Sequence, residues 1–100
     1  MTINKKFDNN ALTIALEGFL DTTTAPQLEK TLEESLTNVN KLIFDFSKLD
    51  YISSAGLRVL LVAQKIMKKQ GEMIVLHPNK VIIDIFTITG FVNVLNIEDV

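Results

Sequence analysis

The sequence has no cysteine and no tryptophan, a single histidine, two prolines and four glycines among its 100 residues. Without cysteine there is no disulfide framework, no thiolate nucleophile and no thiolate metal site. A lone histidine with no partner histidine supplies neither a metal pair nor a Ser–His–acid set, so no metal and no catalytic residue is expected. Neither a GxxxxGK[ST] loop nor a GxGxxG loop is present, so no phosphate cradle is visible and no cofactor is expected. No apolar run approaches the roughly 20 residues that span a bilayer. Met1-Thr2-Ile3-Asn4-Lys5-Lys6 lacks the apolar stretch of a secretion signal. These absences predict a soluble, cytoplasmic chain with no direct membrane insertion. Neither charge dominates: 10 Lys and Arg stand against 12 Asp and Glu, a net charge of −2. The cations are scattered, which argues against a nucleic-acid partner.

What is present is enough apolar material, 47% of the residues, for one domain spanning 1–100. Thr2 to Phe7 and Ala11 to Glu17 read as a hairpin about the turn residues Asp8-Asn9-Asn10. Gly18 to Thr23 reads as a loop. Thr24 with Gln27 forms a capping-box pattern for a helix to about Thr37, with Leu28, Leu32, Leu36 and Val39 on its buried stripe. Lys41 to Phe46 is a nearly continuous apolar strand, suited to the middle of a sheet. After a polar turn, a second helix runs from about Ser54 to Gln70 and ends at Gly71. Glu72 to Leu76 is a strand, Asn79 caps a third helix from Lys80 to Thr89, and Val92 to Ile97 is a last strand. Val81, Ile82, Ile85 and Phe86 are expected to face inward. The order β-β-α-β-α-β-α-β predicts an α/β domain, a mixed sheet with helices packed on one face.

The stretch Asp45 to Leu61 organises the chain. Ser53 and Ser54 fall where the second helix begins, and helix-capping is the plain explanation for a serine there. Gly56 costs roughly 1 kcal/mol in a helix. Its expected use is to clear the approach to the neighbouring serine. Asp21, Asp45 and Asp50 are expected near the same helix start, as loop caps or as contacts to a partner's basic residues. On a helical wheel Val59, Leu60, Ala63, Ile66 and Met67 face the core. Ser54, Arg58, Leu61, Lys65 and Lys68 form one outward stripe with a single apolar member.

At these residues the chain resembles the STAS domain, the bacterial anti-sigma factor antagonist family. Asp45-x-Ser47-x(5)-Ser53-Ser54-Ala55-Gly56-Leu57 is similar to the family signature. Glu17-Gly18-Phe19-Leu20-Asp21-Thr22-Thr23-Thr24-Ala25-Pro26-Gln27-Leu28 resembles a second motif in the expected order. The resemblance implies no enzyme but a binding module. Its unphosphorylated form binds an anti-sigma factor with serine kinase activity and frees a sigma factor. Phosphorylation of a serine at the second helix's N-terminus ends the binding, and a phosphatase restores it. In the family the acceptor is one of two hydroxyl residues before the glycine. Ala55 fills the later position, so the resemblance implies Ser54, with Ser53 as second choice where the family often has Asp. The implied partner-binding residues are Asp21, Ser53, Ser54, Gly56, Leu57, Arg58, Leu61 and Lys65. Family members also serve as accessory subunits of membrane transport systems that bind a transporter ATPase; nucleotide binding by the domain itself is a third reading, against which stands the absence of a phosphate loop. Many members carry a C-terminal helix that this sequence, ending Ile97-Glu98-Asp99-Val100, is expected to lack.

Overall fold

Alternating Leu12, Ile14 and Leu16 put one face of a strand wholly in the core. Asn9, at φ 58°, turns the preceding segment back beside it, a backbone angle that asparagine tolerates better than most residues. A computed structural model describes residues 1–98 and gives the remaining elements. The hairpin is β1 (Thr2–Asp8) and β2 (Ala11–Leu20), antiparallel with Phe7 opposite Leu12. There follow α1 (Ala25–Ser35), β3 (Lys41–Ile52), α2 (Ser54–Gln70), β4 (Glu72–Leu76), α3 (Lys80–Thr89), a 3-10 turn (Phe91–Asn93) and β5 (Asn96–Glu98). The sheet runs β1-β2-β3-β4-β5, with all pairs after the first parallel. This is the expected mixed α/β domain.

Each parallel crossover carries one helix, and each steps the same way across the sheet, so right-handed connections bring all three helices to one face. Packing agrees with this. Leu28 and Leu32 of α1, Leu60, Ala63 and Met67 of α2, and Ile82 and Phe86 of α3 join one core with Leu42, Phe44 and Val75 of the sheet. Each fully buried leucine contributes roughly 1.5–3 kcal/mol. Two polar ties lock the helices in place. The Gln70 amide nitrogen donates to the carbonyls of Leu36 at 2.8 Å and Val39 at 2.7 Å, binding the end of α2 to the segment after α1. Lys5 Nζ donates to Ser35 Oγ at 3.2 Å, holding β1 to α1.

The structure corrects several boundaries. β3 does not stop at Phe46. It continues to Ile52 through two bulges, where Ala15 pairs with Asp45 but Glu17 with Lys48, and Gly18 with Leu49 but Phe19 with Tyr51. Each bulge adds a residue to β3 and re-aims the next side chain. Its buried residues Phe46, Leu49 and Ile52 are therefore three apart, a spacing that hides a strand in sequence. β2 likewise runs on to Leu20. The capping box at Thr24 does not form: Thr24 is the N-cap of α1 without a side-chain cap bond, and its hydroxyl serves the preceding loop instead. Val81 points outward rather than inward, half exposed. Gly71 follows α2 as expected, but the need for glycine there is a close approach, since a Cβ would run into the Asn40 carbonyl. The expectation about the chain's last residues falls on 99 and 100, outside the described residues.

Candidate functional site

Ser53 is the whole connection between β3 and α2. Its amide donates to the Leu20 carbonyl at 2.9 Å, and its carbonyl accepts the first turn's Leu57 amide at 2.9 Å. Its hydroxyl accepts the Gly56 amide at 3.5 Å, a long capping contact. Ser53 is thus the N-cap, half-buried and occupied. Ser54 occupies the first helical position and its side chain is exposed. Between the two serines, Ser54 is the one presented to solvent at the positive end of a 17-residue helix.

Gly56 and Leu57, both expected at a partner surface, are buried. A Cβ on Gly56 would lie 2.7 Å from Leu20 Cγ and 2.8 Å from Ile52 Cγ1. The glycine therefore lets α2 settle on the ends of β2 and β3, and it does not clear the approach to the serine. Leu57, 6% exposed, belongs to the core.

The loop beside Ser53 is built by Asp21. Its Oδ1 accepts the Thr23 hydroxyl at 2.8 Å, the Thr23 amide at 3.0 Å and the Thr24 amide at 3.2 Å. The Thr24 hydroxyl accepts the Asp21 amide at 2.8 Å and donates to the Phe19 carbonyl at 2.8 Å. The Thr23 hydroxyl, aided by the loop amides, holds the Asp21 carboxyl below the usual carboxylate range. Asp21 thus shapes the loop that abuts Ser53. The other two acids do not gather there. Asp45 faces away from the helices at the first bulge, accepting the Ser47 amide at 3.0 Å. Asp50 lies at the second bulge, where its carbonyl accepts the Asn79 side-chain amide at 3.3 Å. Among the described residues no group of three acids or histidines is arranged to hold a metal ion.

Two surface features flank the serines. On α2, Arg58, Lys65 and Lys68 are exposed as expected, while Leu61 is half-buried and Val62, at 42% exposure, is the more open apolar residue. A groove of about 230 Å³ runs between the starts of α1 and α2, lined by Thr22, Pro26, Glu29, Ala55 and Arg58 among others. On the other side, Phe19 and Tyr51 are cross-strand partners whose rings lie 6.2 Å apart and tilted by 43°. Both residues are exposed, Phe19 at 54% and Tyr51 at 40%. They were missed in sequence. The available signal was an aromatic residue on each strand directly beside a core residue, Leu20 and Ile52. An exposed hydroxyl, a neighbouring guanidinium and an aromatic pair can bind a protein surface and accept a group. They do not form a proton-transfer set, and His77 stands at the end of β4 with its amide donating to the Glu98 carbonyl at 3.1 Å.

The STAS domain model matches residues 2–100. A Bordetella bronchiseptica protein named as an anti-sigma factor antagonist, BtrV, is 35% identical over 90 residues, covering 88% of this chain and 78% of that protein. The anti-sigma-B factor antagonist of Listeria monocytogenes is 26% identical over 98 residues, covering 96% of this chain and 86% of that one. Among solved structures, the unphosphorylated anti-sigma factor antagonist SpoIIAA superposes with a TM-score of 0.78 at 18% identity, covering 99% of this chain and 89% of its own. The phosphorylated form of Bacillus SpoIIAA gives 0.79 at 19% identity, covering 99% and 91%. At these identities the two structures bear on the fold alone.

Proposed function

Since this chain belongs to the STAS domain family, we propose that it is an anti-sigma factor antagonist switched by phosphorylation of Ser54. The unmodified chain binds an anti-sigma factor that is also a serine kinase, and this frees a sigma factor. The kinase then moves the γ-phosphoryl group of ATP to Ser54 Oγ. ADP leaves, the hydroxyl proton passes to a base of the kinase, and the complex parts. A phosphatase returns the serine. The role is regulatory rather than catalytic.

One observation carries the reading: Ser54 is exposed at the first position of α2, while Ser53 beside it is engaged as the cap. A phosphate brings roughly −1.5 to −2 charges. The free protein tolerates them at a helix N-terminus. A close-packed interface without cations opposite does not. The switch then needs no change of fold, only a change of surface. Asp21 supports it indirectly by fixing the loop beside Ser53, and Arg58, Leu61 and Lys65 extend the contact along α2.

The test begins with a pull-down on the unmodified chain, with mass spectrometry of what is bound. The recovered anti-sigma factor and ATP are then added to the chain and the phosphopeptides mapped. Phosphate is expected on Ser54, and Ser54→Ala is expected to bind and never release. Ser54→Asp supplies about one of the charges of phosphate and should bind weakly. Phosphate on Ser53 would move the acceptor by one residue. Binding that is intact, independent of ATP and directed at a transporter ATPase would replace the antagonist reading by that of an accessory transport subunit.

A further inference from the structure

From Ile85 to Ile97 the sequence holds no charged residue, although 22% of the chain is charged. The segment is not hidden. Ile88, in the last turn of α3, is 85% exposed, and Val92 and Val94, at the 3-10 turn, are each 44% exposed. The exposed residues among them are Thr87, Thr89, Asn93 and Asn96. The 3-10 turn folds back on the end of α3, where the Gly90 carbonyl accepts the Asn93 amide at 3.1 Å. Three branched apolar side chains therefore stand at one uncharged corner.

One exposed isoleucine is ordinary. An apolar patch of roughly a few hundred Å² is the size that marks an interaction site on a single domain. Other exposed apolar residues have charge beside them: Phe7 lies between Lys6 and Asp8, Tyr51 follows Asp50, and Val62 is one turn from Arg58. The corner is also remote from Ser54. α3 begins at Asn79, which reaches the carbonyls of Leu49 and Asp50 at the Ser53 end of β3. It then returns to the start of β5, a run of about 15 Å at the helical rise.

We infer that this corner, centred on Ile88, Val92 and Val94, is a self-association surface whose occupant is a second copy of the chain. Its chemistry selects that occupant. A two-fold contact sets a patch against itself, so a charged rim would oppose like charges there. This rim is threonine and asparagine, whose hydroxyls and amides both donate and accept, and such groups can pair with their own copies. The corner has no charge with which to choose an acidic or a basic partner, and a net charge of −2 puts little repulsion between copies. The patch falls short of the ~800 Å² per partner of a stable interface, so the pair is weak and reversible. It carries two Ser54 corners, both clear of the contact.

The experiment is analytical ultracentrifugation of the purified chain from about 10 µM to about 1 mM, where a contact of this size is expected to shift from monomer toward dimer. Salt should change the Kd less than about twofold, since the contact holds no charge. Ile88→Glu and Val92→Glu each put a carboxylate into the contact and should raise Kd about tenfold or more. Phe7→Glu, at the opposite edge of the sheet, and Ser54→Asp should stay within about twofold of wild type. Circular dichroism checks that each variant is folded. A second measurement needs no variant: on dilution of labelled wild type, amide shifts are expected at Ile88, Val92, Val94 and their neighbours. A chain that stays monomeric to about 1 mM overturns the inference, whether or not anti-sigma factor or phosphatidylglycerol vesicles shift the same amides. Dimerisation lost in Phe7→Glu and kept in Ile88→Glu, or dilution shifts confined elsewhere, overturns it as well. None of these results bears on whether Ser54 is the acceptor.

Discussion

Gly56 lies so close to Leu20 that a Cβ on the glycine would stand 2.7 Å from the leucine Cγ. Leu20 is fully buried, and Ile52, the next neighbour, is 1% exposed. Neither side chain has room to swing aside. Gly56→Ala gains roughly 1 kcal/mol of helix propensity but overpacks this contact, at a cost of about 1–3 kcal/mol. A net fall in thermal stability is expected. A rise in Tm would show that α2 can lift off the strands without cost.

Asn79 joins α3 to the bulged end of β3. Its Oδ1 accepts the Ile82 amide at 2.9 Å, and its Nδ2 donates to the Leu49 carbonyl at 3.1 Å. Asn79→Ala should lose about 0.5–2 kcal/mol for the cap alone. Asn79→Asp keeps an acceptor for Ile82 but turns an oxygen toward two carbonyls. Urea titration should find the aspartate no better than alanine. Full stability in Asn79→Asp would mean that the donated bonds contribute nothing.

The Asp21 carboxyl is held below its usual range by the Thr23 hydroxyl and the loop amides. A carboxylate whose folded pKa is lowered stabilises the fold above its unfolded pKa, near 4. That contribution is lost as pH falls from there through the folded value. Wild type should therefore exceed Asp21→Asn in Tm at neutral pH, and the gap should close below about pH 4. A gap that stays constant from pH 7 to pH 3 would remove the carboxylate from the explanation.

Three neighbours on α2 should separate cleanly in chemical denaturation. Leu60 is fully buried, and Leu60→Ala should cost about 2–5 kcal/mol. Leu61 is half-buried, so Leu61→Glu should cost stability as well as partner binding. Val62 is open, and Val62→Glu should stay within about 0.5 kcal/mol of wild type. If Leu61→Glu is as harmless as Val62→Glu, the outward face is centred nearer Leu61 than the structure has it.

The order of elements was legible because apolar residues recur at two in the strands and at three to four in the helices. Leu12, Ile14 and Leu16 show the first pattern, and Leu28, Leu32 and Leu36 the second. The end of β3 was not legible, because its two bulges make Phe46, Leu49 and Ile52 recur at three. That spacing, filled with Asp, Ser and Lys, imitates a turn. Asp45 was misplaced for another reason: it alternates with the buried Phe44 and Phe46 before the first bulge, so period two alone puts it on the face away from the helices. At the site, the outward positions of Ser54, Arg58 and Lys65 followed from helical periodicity alone. The purpose of Gly56 did not, since it depends on Leu20, which is distant in sequence. The Thr24 hydroxyl was equally opaque. Its capping pattern is local, but the Asp21 amide and the Phe19 carbonyl take the hydroxyl first.

The single-residue junction at Ser53 has a thermodynamic consequence for recognition. Fixing a residue's backbone costs roughly 1–2 kcal/mol of entropy, and flexible loops meet that cost at the moment of association. Here the strand before Ser53 is paired on one side to β2 through Leu20–Ile52, and the helix after it is seated by Gly56 on the same two residues. The serines' backbone freedom is spent when the domain folds. A protein that docks on this corner has only the side chains of Arg58, Lys65 and their neighbours left to immobilise. Its affinity is therefore set by surface chemistry alone, the quantity that a single modified hydroxyl can change.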